Sequence, residues 1–346
     1  MREQFDDARL DDSEVLQAAD EHLRDLAEAG ARVRIEAGAA ADTLAVMERD
    51  SEPRAIVAAG SDARLLRAVL EPWCPVPFVA WPGPSLPGWA GALDLVTVLA
   101  PEGGDEQTAS AVREAVRRGC VLITACPSHS VVAEHAAGRH SKILPTQTPD
   151  TLAVAVVMLQ ALHRLGVGPE IDADEVATRL DEVAIACSPN TDIATNPAKD
   201  LALALADALP MVWGGSVLAA RAARRVAEAM RRTSGRPALA ADSRHLLPVL
   251  EAAKKRDVFA DPFADADSPN APTRPGLLIL DDGTEEPSVR EQRGRLVATA
   301  ESRDIHVKTI SAMDGSEMAR YAALLNTGRY AAAYLGIGLG TGDRQT

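Results

Sequence analysis

The sequence predicts an α/β protein built as two tandem open parallel α/β sandwiches, and three observations predict it. Short apolar runs rich in β-branched residues repeatedly precede longer stretches of helical periodicity, the rhythm of a parallel sheet covered by helices. The rhythm breaks at a linker holding Gly166, Gly168 and Pro169, then resumes. The 346 residues, 47% of them hydrophobic, also exceed one core, since single cores stop growing near about 250–300 residues.

Each element follows in order. Ala55–Ala59 reads as a strand, 62–70 as a helix, and Pro77–Trp81 as a second strand before a Pro/Gly-rich loop. Asp94–Ala100 is a strand, Glu106–Arg118 a helix, and Val121–Ala125 a strand. Ser130–Ala137 is a short helix, Lys142–Leu144 a last strand, and Thr151–Leu165 a long closing helix. That gives five strands in the first unit, preceded by leading helices.

An acidic helix around Asp172–Asp181 follows the linker. Asn196–Ala208 reads as a helix starting just after Thr195, and Pro210–Trp213 as a strand running into Gly214 and Gly215. Helix Val217–Arg232, a weak strand at Pro237–Ala241 and a helical stretch at 246–255 come next. The segment 261–275, crowded with Asp and Pro, reads as a loop. Strands at Leu277–Leu280 and Ile305–Ile310 flank a helix near Ser288–Ser302, and helices run from Gly315 onward. The expected division is 1–165 for the first domain with its leading helices, 166–195 for linker and helix, and 196–346 for the second domain.

The 36 Lys and Arg stand against 50 Asp and Glu, a net charge of -14. That balance repels nucleic acid and anionic membrane surfaces, so neither is an expected partner. Residues 1–20 lack the basic-then-apolar layout of a signal peptide, and no run of about 18 apolar residues occurs, so a cytoplasmic protein is expected. Cys74, Cys120, Cys126 and Cys187 form no C-x-x-C pair and read as buried reduced thiols. His129, His135 and His140 are spaced six and five apart, which scatters them around a helix, so no metal site is expected. No cofactor is expected either. The run Gly336-x-Gly338-x-Gly340-x-Gly342 follows a helical pattern and precedes none, unlike a dinucleotide loop. Trp73, Trp81, Trp89 and Trp213 read as core or interface anchors.

The most informative stretch is Leu99–Thr108, a turn between a buried-looking strand and a helix, where free backbone N–H groups can meet an anion. With Gly60 and Ser61 after the first strand, it forms a pattern completed by Asn196-Pro-Ala-Lys-Asp-Leu201, Leu209-Pro210, Trp213-Gly214, Arg236-Pro237-Ala238 and Tyr334-Leu335-Gly336. On these residues the chain resembles the two-domain SIS (sugar isomerase) proteins of the bifunctional phosphoglucose/phosphomannose isomerase branch. The resemblance implies tandem SIS-type sandwiches, a sugar phosphate as small-molecule partner, and a homodimer.

It also implies site residues. The family wraps the phosphate with a turn of the type S-x-S-G-N-T-x-E-T. Alignment puts Ala100 and Glu102 where its serines stand, Gly103 at its glycine and Thr108 at its last threonine. Glu102 there turns a carboxylate toward a dianion. The competing reading of this turn is an ordinary strand-to-helix connection, with Asp105 and Glu106 favouring the helix start.

The family base is a Glu just before a Pro-Ala pair, and here Arg232 occupies that position. A guanidinium is no general base at physiological pH. The family His aligns at Pro248, three residues from His245, which otherwise reads as a surface or capping histidine. Its C-terminal Lys follows a segment like 334–343, where this sequence offers Arg344.

Three readings follow. An isomerase with displaced residues would use Glu228, His245 or Glu251 for acid/base work, with Gly60, Ser61, Glu102, Gly103, Gly104, Thr108, Ser128, Gly214, Gly215 and Arg232 around the ligand. A sugar-phosphate-binding protein with weak or lost activity is the reading favoured by the residue chemistry. A structural partner that binds no sugar is the third.

Overall fold

A computed structural model describes residues 4–48, 52–60, 63–254 and 274–341. It divides into two compact units, residues 29–178 and residues 1–28 together with 179–346.

The chain opens with a 3₁₀ turn at Asp7–Leu10 and two short helices, α1 (Ser13–Ala18) and α2 (Asp20–Ala27). Each of the first two is started by an aspartate whose carboxylate accepts N–H bonds from the following turn, Asp6 and Asp12. These leading elements differ from the sequence reading, which placed them in the first domain. Asp6 N donates to Gly338 O at 2.9 Å, Arg9 Nε to Ile337 O at 2.8 Å, and Asn326 Nδ2 to Leu26 O at 3.4 Å. Chain order says nothing about such pairings 300 residues apart.

The unit of residues 29–178 holds α3 (Ala29–Ala45), β1 (Ile56–Ala59), α4 (Ala63–Leu70), β2 (Phe78–Trp81), β3 (Leu95–Leu99), α5 (Glu106–Arg117), β4 (Val121–Cys126), α6 (Val131–His135), β5 (Ser141–Pro145) and α7 (Thr151–Arg164). Its five strands are all parallel in the order β2-β1-β3-β4-β5. One face, with Val57, Val96, Val98 and Leu122, packs on α5 and α6. The other lies under α3, α4 and α7. Helix α7 is apolar on every side, as a helix pinned between sheet and neighbours must be. Helix α8 (Ala173–Ala186) carries the chain from one unit into the other, so the boundary falls inside the region read as linker and helix.

The second unit continues with α9 (Pro197–Leu205), β6 (Ala208–Gly214), α10 (Val217–Ser234), β7 (Leu239–Ala240), α11 (Ser243–Ala252), β8 (Arg274–Asp281), α12 (Pro287–Ser302), β9 (Val307–Ser311) and α13 (Glu317–Gly338). Its strands are parallel in the order β7-β6-β8-β9, repeating the first four strands of the other sheet. Met211, Trp213, Leu277 and Ile279 bury one face against α11 and α12. Helix α10 covers the other and packs on α13.

Some element readings shift. Asn196, not Thr195, caps α9, its Oδ1 accepting from Ala198 N and Lys199 N at 3.0 and 3.1 Å, and that helix ends three residues early because Ala208 already pairs with Arg274 in the sheet. The C-terminal helices are one helix, α13, with buried residues all round. Helix α11 begins three residues before the expected start and accommodates Pro248. Trp213 is core, at 3% exposure, but Trp73, Trp81 and Trp89 are 58%, 36% and 47% exposed. Cys120, Cys126 and Cys187 are buried free thiols and Cys74 is half-buried. The loop read at 261–275 lies outside the described residues up to 273. No helix among the described residues is long and apolar enough to cross a membrane.

Small residues set the α10–α13 contact. A Cβ at Gly328 would lie 2.2 Å from Val226 Cγ2. Gly328→Ala is therefore expected to destabilise the fold by about 1–3 kcal/mol through overpacking. Urea unfolding of the two proteins measures it, and an unchanged midpoint would show that α10 and α13 are not in close contact there.

Candidate functional site

In each sheet the chain leaves the first strand in one direction and later strands in the other, which opens a crevice at the C-terminal strand ends, the usual ligand position of such folds. In the 29–178 unit the crevice lies between β1 and β3. Three turns meet there. Gly60, at the end of β1, has φ +94°, and a Cβ on it would sit 3.0 Å from Thr108 Oγ1. Gly103, in the turn after β3, has φ +72°, and a Cβ there would lie 2.5 Å from the Cβ of Ser130 in the turn after β4. Both glycines hold left-handed backbone in a space too close for a side chain.

The structure thus brings Gly60, Gly103 and Thr108 together, with Ser130 beside them. Gly104, Glu102 and Ser128 lie exposed on the same turns. Ser61 lies outside the described residues. Ser130 was read only as a helix start; its Oγ accepts from Ala133 N at 3.1 Å and caps α6.

The start of α5 is occupied from within. The Asp105 carboxylate accepts from Gln107 N at 3.0 Å, from Thr108 N at 3.2 Å and from the Thr108 hydroxyl. These are donors that a helix N-terminus otherwise offers to an anion. Glu102, Asp105 and Glu106 make this edge acidic, and residues 100–108 and 126–130 contain no Lys or Arg. The capped-turn reading describes the observed geometry.

The equivalent crevice of the other unit lies between β6 and β8. Gly214 and Gly215 precede α10, and a Cβ on Gly214 would fall 2.2 Å from the Ala219 carbonyl carbon. Ser216 caps α10, accepting from Ala219 N at 3.0 Å, and donates to Asp282. Thr284 Oγ1 also reaches Asp282, at 2.8 Å, Arg320 Nη1 donates to its carbonyl at 2.8 Å, and Arg293 pairs with Asp281. The sequence reading missed this cluster. An Asp-Asp-Gly-Thr turn directly after an apolar strand was the available signal.

The remaining candidates do not assemble. Arg232 sits exposed at the far end of α10 from Gly214 and Gly215, and 18 helical residues span about 27 Å at about 1.5 Å each. Glu228, one turn earlier, is ion-paired to Arg225 at 2.9 Å. His245 and Glu251 are exposed on α11, on the opposite face of the sheet from α10. Near Arg232 stands His22 of α2. Desolvation lowers its pKa from the ordinary histidine value, Asp25 opposes this, and the cations Arg329 and Arg232 add to it. No cluster of three or more metal-ligating side chains occurs among the described residues.

Residues 194–342 match the family described as the bacterial phospho-glucose isomerase C-terminal SIS domain. No curated protein matches the sequence. Among solved structures, the chain is similar to tagatose-6-phosphate ketose/aldose isomerase of Escherichia coli (TM-score 0.60, 14% identity, 94% of each chain covered). It is also similar to the C-terminal domain of glucosamine-fructose-6-phosphate aminotransferase of Francisella tularensis (0.59, 12%, 89% of this chain and 95% of that one). A glucose-6-phosphate isomerase like protein of Thermus thermophilus aligns at 0.53 and 16%, over 95% of this chain and 92% of that one.

Proposed function

We propose that this chain, a SIS-family protein by residues 194–342 and by the fold of both its units, binds a sugar-phosphate-type ligand at the β1/β3 crevice without isomerising it. The carrying observation is a contrast between the two units, each taken by itself. The turns that would surround a ligand converge on one another, Gly60 on Thr108 and Gly103 on Ser130, whereas Glu228, His245 and Glu251 are dispersed over two faces of a sheet.

The test has two arms. Thermal shift with fructose 6-phosphate, glucose 6-phosphate and mannose 6-phosphate should raise the melting temperature with ligand concentration, as any ligand of the folded state does. Coupled assays with the same sugars should show no interconversion. Ordinary turnover would overturn the second half of the reading, and no shift with any of them the first.

Asp105 favours a second reading, a SIS protein that has given up the ligand, because its carboxylate takes the α5 donors itself. Asp105→Ser separates the two. Serine keeps the cap and removes one charge, so hexose 6-phosphate affinity is expected to rise about tenfold, the equivalent of about 1.4 kcal/mol. Ala100→Ser with Glu102→Ser, which leaves Asp105 in place, is expected to gain less. Calorimetric titration at fixed salt measures both. A serine variant that still binds nothing supports the structural-partner reading.

A further inference from the structure

At the opposite edge of the five-stranded sheet, where β3, β4 and β5 begin, lies a cavity of about 170 Å³. It belongs to the 29–178 unit alone. By register Leu95 pairs with Val121 and Ile123 with Lys142, so these four side chains leave the same face of the sheet. Leu95, Val121 and Ile123 form an apolar floor, and Leu165 and Val167, just past α7, form the facing wall. Leu93 and Val121 remain 69% and 37% exposed there, a contiguous apolar surface left open to water.

The rim is charged with both signs. Lys142, Glu48 and Glu52 are the charged residues that line it. Neither Lys142 nor Glu48 has an ion-pair partner within 4 Å among the described residues. An apolar hollow of about 150 Å³ is large enough for benzene, and the floor offers no polar group to hold a sugar. The rim therefore supplies the orientation: an ammonium meets Glu48, and a carboxylate meets Lys142.

We propose that this cavity is a binding site for a small apolar zwitterion of the free α-amino-acid type, its side chain in the hollow and its charged ends on the rim. The crevice described above lies at the other ends of the same strands, so the two ligands are separate molecules and the inference is independent of the phosphosugar reading. No bond is made or broken.

Calorimetric titration of the full chain with L-leucine and L-phenylalanine tests it. Both should bind, whereas glycine, which has the same charges and no side chain, should not. 4-Methylpentanoate, which lacks the ammonium, and isoamylamine, which lacks the carboxylate, should each bind about tenfold more weakly than L-leucine, the size of one charged hydrogen bond. Lys142→Gln should weaken L-leucine about tenfold while leaving isoamylamine unchanged. Ala92→Trp, at an exposed lining position, should fill the mouth and abolish binding, with circular dichroism confirming the fold. Equal affinity for all three leucine-sized probes would overturn the zwitterion assignment. Absence of L-leucine binding, or L-leucine binding that survives Ala92→Trp in a folded protein, would overturn the site itself.

Discussion

Hexose 6-phosphate isomerisation is expected to run about 10²–10⁴-fold below that of an enzyme with a positioned acid/base pair, the usual worth of such groups. The expectation rests on what each candidate touches. Arg232 carries a guanidinium that stays protonated. Glu228 is committed to Arg225 at 2.9 Å, and its carboxylate shares no space with His245 or Glu251 across the sheet. His22 has its pKa lowered by desolvation, with Asp25 opposing the shift and the cations Arg329 and Arg232 adding to it. Coupled assays of the wild type beside Glu228→Ala, His245→Ala and Glu251→Ala measure it. Background rates that are identical in all four proteins are the expected result. A measurable wild-type rate lost in any one variant would restore the displaced-residue enzyme.

Much of the architecture was legible because a parallel sheet buried on both faces writes continuous apolar strands, as in Ile56–Ala59, Leu95–Leu99 and Leu277–Leu280. A cap was legible too where Asp stands before a periodic run, as at Asp105. What failed was information that lives between distant segments. Nothing in residues 1–28 announces that they pack with α13. Of the two readings given to the tryptophans, core or interface, the exposure of Trp73, Trp81 and Trp89 around β2, the edge strand of the sheet, removes the core one for these three.

The site shows the same division. The turns at Gly60 and Gly103 could be found because each follows a strand end and each needs positive φ. Asp105 could be read as a cap, but that it also takes the Thr108 hydroxyl, and so fills the position an anion would use, depends on side-chain geometry. That Glu228 and His245 lie on opposite faces depends on which way each crossover turns, which spacing along the chain does not encode.

Asp11→Ala is expected to destabilise the protein by about 2–3 kcal/mol, because it strands a buried ammonium. Lys199, on α9, is 0% exposed and donates to Asp11 Oδ1 at 2.7 Å and to Pro189 O at 3.0 Å, with Nζ 5.7 Å from the Tyr334 ring centroid. Tyr334 in turn donates to Cys187 O at 2.7 Å, and burial pushes the Cys187 thiol up to about 12, so these two neighbours of the ammonium are neutral. Breaking a fully buried pair costs about 3–5 kcal/mol, but the Asp11 side chain is 55% exposed, so water already screens part of the attraction and the lower figure applies. Lys199→Met removes the charge and keeps the volume, so it should cost less than about 1.5 kcal/mol. The decisive protein is the double variant. With no ammonium to strand, Asp11→Ala should then cost almost nothing, and urea unfolding of the four proteins should show a coupling of about 2 kcal/mol. Additive losses would mean that Asp11 acts only by ordering the turn around it, and that the leading segment is held to α13 by Arg9 and Asp6 without help from Lys199.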